Sequence, residues 1–158
     1  KTVAIIGFGR IGRRIAELLV PFRANLIIVD PFLGESNIPA GTHLALEEAL
    51  PQADIITIHC SGEGCLFDEP AFARMKRGVM ILNAARGGVV SERALLKALD
   101  DGIVAGAWLD TFETEPYKGP LCSYENVLLT PHIGPYTAEC RQDMENEAVS
   151  NLLKALKR

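Results

Sequence analysis

Three glycines near one end of the chain stand at the spacing G-x-G-x-x-G, in Gly7-Phe8-Gly9-Arg10-Ile11-Gly12. The pattern follows a short apolar run, Val3–Ile6, and leads into a helical stretch, Ile11–Leu19. In that setting each glycine meets a separate physical need. Gly7 permits a tight turn, Gly9 lets the backbone approach a pyrophosphate, and Gly12 lets the helix pack close to the strand. Phosphate oxygens would then rest on free N–H groups at the positive dipole end of the helix, at Arg10, Ile11 and Gly12. Arg10 adds positive charge there, while Arg13 and Arg14 serve equally well as solvated helix surface. Asp30 closes the next apolar run, 18 residues after Gly12. A carboxylate at that place can accept both hydroxyls of an adenosine ribose and repels a 2′-phosphate. Pro31-Phe32-Leu33-Gly34-Glu35 offers no basic group to hold such a phosphate, so the expected cofactor is NAD rather than NADP. With no ligand, the same residues reduce to a tight strand–helix turn and a strand-end carboxylate.

Groups of this kind need strands to aim them, and the chain supplies short runs rich in Ile, Val and Leu. Val3–Ile6, Leu26–Val29, Ile55–Ile58, Val79–Leu82, Ile103–Leu109 and Val127–Leu129 are continuous rather than alternating, as in strands buried on both faces. Thr42–Leu44 is too short a pattern to decide. Helices are expected at Ile11–Leu19, Leu44–Leu50, Pro70–Lys76 and Glu92–Leu99, the last with Ser91 as N-cap and Gly102 as C-terminal cap. A final helix, Thr137–Lys157, carries Met144, Ala148, Leu152 and Leu156 at four-residue spacing on one wide apolar face. The alternation predicts the α/β class: a doubly wound parallel sheet of Rossmann type with helices on both faces, joined by right-handed crossovers. No linker or repeat divides residues 1–158, so one domain is expected.

Composition narrows the function classes. The 158 residues hold 16 Lys+Arg against 20 Asp+Glu, a formal charge of −4, which argues against a basic nucleic-acid binder. Ile103–Leu109, the densest apolar run, is far shorter than the ~18 residues of a membrane span. Lys1-Thr2 runs straight into a strand pattern, with no secretory signal ahead of it. Cys60, Cys65, Cys122 and Cys140 form no C-x-x-C pair and keep no metal-ligand spacing with His43, His59 or His132. Reduced thiols in a cytoplasmic protein, without a metal, are the expectation.

From Met75 onward the sequence resembles the D-isomer-specific 2-hydroxyacid dehydrogenases. Three stretches carry the resemblance: Met75-Lys76-Arg77-Gly78 running into Asn83-Ala84-Ala85-Arg86-Gly87-Gly88-Val89-Val90, then Leu109-Asp110-Thr111-Phe112-Glu113-Thr114-Glu115-Pro116, then Asn126-Val127-Leu128-Leu129-Thr130-Pro131-His132-Ile133-Gly134. The glycine turn and Asp30-Pro31 match the family's first half. The resemblance implies reduction of a 2-keto acid by hydride transfer from NADH, with Arg86, Glu115 and His132 as the catalytic set. His132 would be the acid–base group, since imidazole titrates near neutrality. Glu115 would orient the ring and favour the imidazolium. Arg86 would bind the substrate carboxylate and polarise the carbonyl with a planar fork. By the same resemblance Asp110 would face the nicotinamide carboxamide, Asn83, Ala84 and Ala85 would line the cofactor cleft beside Arg86, and Pro31, His59, Cys60, His132 and Gly134 would complete its edge.

Two departures from the family pattern stand out. Where His-Cys-Pro-Leu-Thr is usual, the chain has His59-Cys60-Ser61-Gly62-Glu63-Gly64, a looser and more negative loop. Pro135-Tyr136 after Gly134 replaces a second small residue and adjoins His132. The chain reads as the cofactor half of such an enzyme, with the substrate domain outside it, inactive alone, and paired as a homodimer in the intact protein. A different class shares the Arg-Glu-His set and a non-standard loop after His-Cys: the dinucleotide-sensing carboxyl-terminal-binding transcriptional corepressors. Pro131-His132-Ile133-Gly134 resembles the metabolic enzymes more closely.

Overall fold

Unbroken apolar strands require cover on both faces, and the centre of this fold provides it. In the computed structural model, which describes residues 1–34, 41–61 and 64–157, β1 (Thr2–Ile6), β2 (Asn25–Val29) and β4 (Ile55–Ile58) alternate their side chains between two cores. Val3, Ile5, Leu26 and Ile28 turn to one face and pack with Phe8 and with Ala16 of α1 (Arg10–Leu19). Ala4, Ile6, Ile27, Val29, Ile56 and Ile58 turn to the other. That larger core is closed by α2 (Leu46–Ala49), α3 (Glu69–Ala73) and α4 (Glu92–Asp100), through residues such as Ala49, Phe72 and Leu95.

With β3 (Thr42–His43), β5 (Val79–Asn83), β6 (Val104–Leu109) and β7 (Val127–Leu129), the strands form one parallel sheet in the order β3-β2-β1-β4-β5-β6-β7. The chain winds outward from β1 to β3, then crosses back to lay β4 beside β1. Strand order therefore reverses at the β1/β4 boundary, where open α/β sheets bind ligands beyond their carboxyl ends. The glycine turn leaves β1 at that point.

Several elements differ in extent from expectation. Thr42–His43 is a strand paired with Ile27 and Ile28, which shortens the helix expected at Leu44–Leu50 to α2. The helix expected at Pro70–Lys76 starts at Glu69, capped by Asp68, whose carboxylate accepts from the Ala71 amide at 3.0 Å. It ends at Ala73, because the Arg74 and Met75 amides bond three residues back, to Ala71 and Phe72, and tighten the last turn. Ser91 caps α4 as expected, accepting from the Ala94 amide, and Gly102 closes it at a φ of +67°.

Cover by helices is unequal on the two faces. α1 shields β1 and β2, but across β5 and β7 the same face leaves Met80 and Leu128 exposed. α5 (Ala138–Leu156) does not pack there: none of its residues is buried, and Met144, Leu152 and Leu156 stand in the open. The wide apolar stripe read from its spacing is present yet covers nothing among the described residues.

Candidate functional site

The turn after β1 is built by what its glycines lack. Gly7 has a φ of +90°, and a Cβ there would lie 2.5 Å from the amide nitrogen of Cys60, so the turn is pressed against the end of β4. A Cβ on Gly12 would overlap the carbonyl oxygen of Gly7, which fixes α1 against the turn. Gly9 is different: a Cβ there would meet nothing within 4 Å. It is the N-cap of α1 and no side chain caps that end. The amides of the first turn thus point at open space, the arrangement a pyrophosphate needs.

That space is a cavity of about 790 Å³ lined by Gly7, Gly9, Asp30, Pro31, His59 and Cys60, with Phe32 and His43 at its rim. Asp30 accepts from the Phe8 amide at 2.7 Å through Oδ2 and from the Phe32 amide at 2.9 Å through Oδ1. Each oxygen keeps a second acceptor site, enough for a ribose diol. Glu47 and Glu48 line the same cavity, so a 2′-phosphate would meet further negative charge. His59 bonds through Nε2 to Thr57 Oγ1 at 2.7 Å, and its Nδ1 is buried without a partner among the described residues. Burial holds its pKa below the usual histidine value, which keeps the ring neutral. Burial likewise pushes the Cys60 thiol up, with the Asp30 carboxylate adding to the rise. Of the unusual loop, Ser61 and Gly64 line the cavity, whereas Gly62 and Glu63 lie outside the described residues.

A second cluster forms at the carboxyl ends of β5, β6 and β7. His132 Nδ1 lies 3.2 Å from Glu115 Oε2. Glu115 Oε1 accepts from the Phe112 amide at 3.1 Å, and stacked Phe112 and Tyr117 rings, 4.4 Å apart, fold the loop between them. The Phe112 amide, then the His132 ring, hold the Glu115 carboxyl below its ordinary pKa. With Nδ1 engaged, Nε2 of His132 has no hydrogen-bond partner among the described residues. His132 has a left-handed backbone, φ +55°, and lies beside a cavity of about 450 Å³ shared with Glu115, Tyr136 and Arg141. Asp110 is 4% exposed and accepts from Thr130 Oγ1, the Ile133 amide and the Gly134 amide at 2.6, 3.0 and 3.2 Å. Burial alone would raise its pKa, but these three donors together with the His132 charge outweigh it and the net shift is downward.

Not every expected residue joins that cluster. Arg86 is exposed and turns back, donating from Nη1 to the Ala85 carbonyl at 2.7 Å, with no bond to Glu115 or His132. Asn83 is buried beneath it, its amide accepting from Ala85 N and donating to the Arg86 carbonyl. It shapes the Ala84–Arg86 turn and lines a cavity with Thr111 and Tyr117. A Cβ on Gly87 would overlap the Phe112–Glu113 backbone, so this glycine lets the Arg86 turn lie against the Glu115 loop. Sequence reasoning missed Trp108 and the role of Thr130, because only the pairing of β6 with β7 brings them to Asp110.

Sheet order, glycine turn and acidic strand end define a dinucleotide-binding domain of the doubly wound class. A family profile described as D-isomer specific 2-hydroxyacid dehydrogenase, NAD binding domain, matches residues 1–134. The chain belongs to this family, as its NAD-binding domain. It is 38% identical to D-3-phosphoglycerate dehydrogenase of Bacillus subtilis, over 99% of this chain and 31% of that protein. Its structure superposes on a glyoxylate reductase from Paecilomyes thermophila with a TM-score of 0.94 and 34% identity, over 100% of this chain and 50% of the other. A D-isomer specific 2-hydroxyacid dehydrogenase from Lactobacillus delbrueckii ssp. bulgaricus, solved with NAD, gives 0.88 and 30%, over 99% and 53%. The chain spans about a third to a half of the length of these relatives. By name they are dehydrogenases and a reductase, not corepressors.

Proposed function

We propose that the protein carrying this domain interconverts a D-2-hydroxy acid and a 2-keto acid, with His132 as proton donor. The observation that carries this reading is the His132–Glu115 pair, 3.2 Å apart at the carboxyl ends of β6 and β7, with Nε2 unpartnered among the described residues. Glu115 fixes the tautomer and stabilises the imidazolium, so the ring presents a proton to the carbonyl oxygen. NADH, when bound, supplies the hydride. The first-turn amides of Arg10, Ile11 and Gly12 hold its pyrophosphate and Asp30 its ribose. Arg86 swings off the Ala85 carbonyl to take the substrate carboxylate, exchanging one neutral acceptor for a bidentate charged one. Gly134 and the Asp110 carboxylate border the nicotinamide end.

Catalysis needs the substrate held in line with water excluded, which a single open face cannot do. We therefore assign substrate closure to polypeptide beyond these 158 residues, and a cytoplasmic homodimer as the working assembly. Among the described residues no helix is long and apolar enough to cross a membrane. The test is an assay of NADH oxidation by the intact protein against a panel of 2-keto acids. Turnover of at least one, lost in Arg86→Ala and His132→Ala, is expected. NADH binding with no turnover across the panel would overturn the reading, as would robust turnover by residues 1–158 alone.

A further inference from the structure

Three residues on one face of the sheet form a hydrogen-bond relay that ends on a buried carboxylate beside the candidate proton donor. β6 and β7 pair with Trp108 opposite Leu128, so Trp108 and Asp110 share a face with Leu128 and Thr130. The Trp108 indole Nε1 lies 2.9 Å from Thr130 Oγ1, and Thr130 Oγ1 lies 2.6 Å from Asp110 Oδ1. An indole N–H only donates, so the threonine oxygen must accept from it. The single hydroxyl proton of Thr130 is thereby directed to Asp110. Asp110 in turn accepts the Ile133 and Gly134 amides, the two that follow His132. Three donors converge on one buried carboxylate and favour its ionised form. On the chain before His132, its amide bonds to the Thr130 carbonyl at 3.0 Å across Pro131. His132 is thus gripped from before and after, in a left-handed conformation that non-glycine residues rarely adopt.

We infer that Thr130 and Trp108 are positioning residues for His132: Trp108 sets the direction of the Thr130 hydroxyl, and Thr130 locks Asp110 onto the turn that aims the imidazole. The inference rests on the reading of His132 as proton donor. Neither residue touches substrate or cofactor; both act through Asp110. If Thr130 loses its hydroxyl, Asp110 keeps its burial but loses its shortest donor, and its carboxyl pKa moves up. Proton donation should then begin to fail at a higher pH, because the amides of the turn are held most strongly by the ionised carboxylate.

The experiment compares Thr130→Val, Thr130→Ser, Trp108→Phe and His132→Ala in the intact protein with NADH and its best 2-keto acid. Thr130→Val should lower kcat about tenfold, the cost of one hydrogen bond to a charged group, with the NADH Kd unchanged. The acid limb of its kcat–pH profile should move up. Thr130→Ser should restore both, and Trp108→Phe should give a smaller loss in the same direction. The Ile133 and Gly134 amide NMR shifts should move in Thr130→Val and return in Thr130→Ser, a readout independent of turnover. Wild-type kcat, acid limb and amide shifts in Thr130→Val would overturn the inference, even with His132→Ala inactive. Should Thr130→Val not fold, unchanged kcat and amide shifts in Trp108→Phe would do the same. Full turnover in His132→Ala would instead overturn the proton-donor reading, leaving the clamp to be judged by the amide shifts.

Discussion

Replacing Asp30 by alanine separates two jobs that one carboxylate performs. It braces the glycine turn through the Phe8 amide at 2.7 Å and the following turn through the Phe32 amide at 2.9 Å. One acceptor site then remains on each oxygen for the ribose diol. A hydrogen bond to a charged acceptor is worth about 1.5–3 kcal/mol. Asp30 is only half-buried, so the low end applies, and two such bonds give about 3 kcal/mol. That corresponds to an NADH Kd roughly 150-fold weaker. Loosening of the brace adds about 1 kcal/mol and penalises NADH and NADPH alike. NADPH also escapes repulsion between Asp30 and its 2′-phosphate, so its affinity should change less than about fivefold in either direction. Fluorescence titration of wild type and Asp30→Ala with both cofactors measures the ratio directly. Wild type should favour NADH, and the variant should lose most of that preference. An equal factor of weakening for both cofactors would refute the ribose role and leave Asp30 as a turn brace only.

Adding Pro31→Arg to a small neutral residue at Asp30 should move preference toward NADPH, since the guanidinium supplies a fork for the phosphate; an unchanged ratio of Kd values would place the recognition elsewhere. Gly9→Ala and Gly12→Ala should part company: Gly12→Ala should lose about 1–3 kcal/mol in urea unfolding, because its methyl meets the Gly7 carbonyl, whereas Gly9→Ala should unfold like wild type and bind NADH more weakly. Asp110→Asn should destabilise by about 1–2 kcal/mol at pH 7. The Asp110 pKa is lowered on folding, so its contribution is complete above the unfolded carboxyl pKa and lost as pH falls through the folded value; the gap between variant and wild type in urea melts should narrow as the pH falls below the ordinary carboxyl range. His132→Ala should abolish turnover in the intact protein while leaving NADH affinity within about twofold, the result expected if its imidazole acts on the substrate and adds little to cofactor binding.

Much of this was legible from local pattern. Strand positions followed from apolar runs, the helix start from the glycine turn, and the cofactor class from Gly7, Gly9 and Asp30, because each rests on short stretches of sequence. The unbroken Ile and Val of β1 and β2 already implied two covered faces, and the sheet placed Ile5 and Ile6 in separate cores. Helix ends were less readable: α3 stops at Ala73 because its last turn tightens, which no residue type between Arg74 and Lys76 announces. The apolar spacing of α5 predicted one wide apolar face, yet burial needs a partner surface, and spacing says nothing about whether one is present. Arg86, Glu115 and His132 could be named by resemblance, but their relation could not. His132 meets Glu115 because two strand ends lie side by side, while Arg86 folds onto its own turn. Trp108, Asp110 and Thr130 lie up to 22 residues apart and meet through the register of β6 with β7. Contacts across that distance depend on how the whole sheet closes, which is why only the tertiary structure decided them.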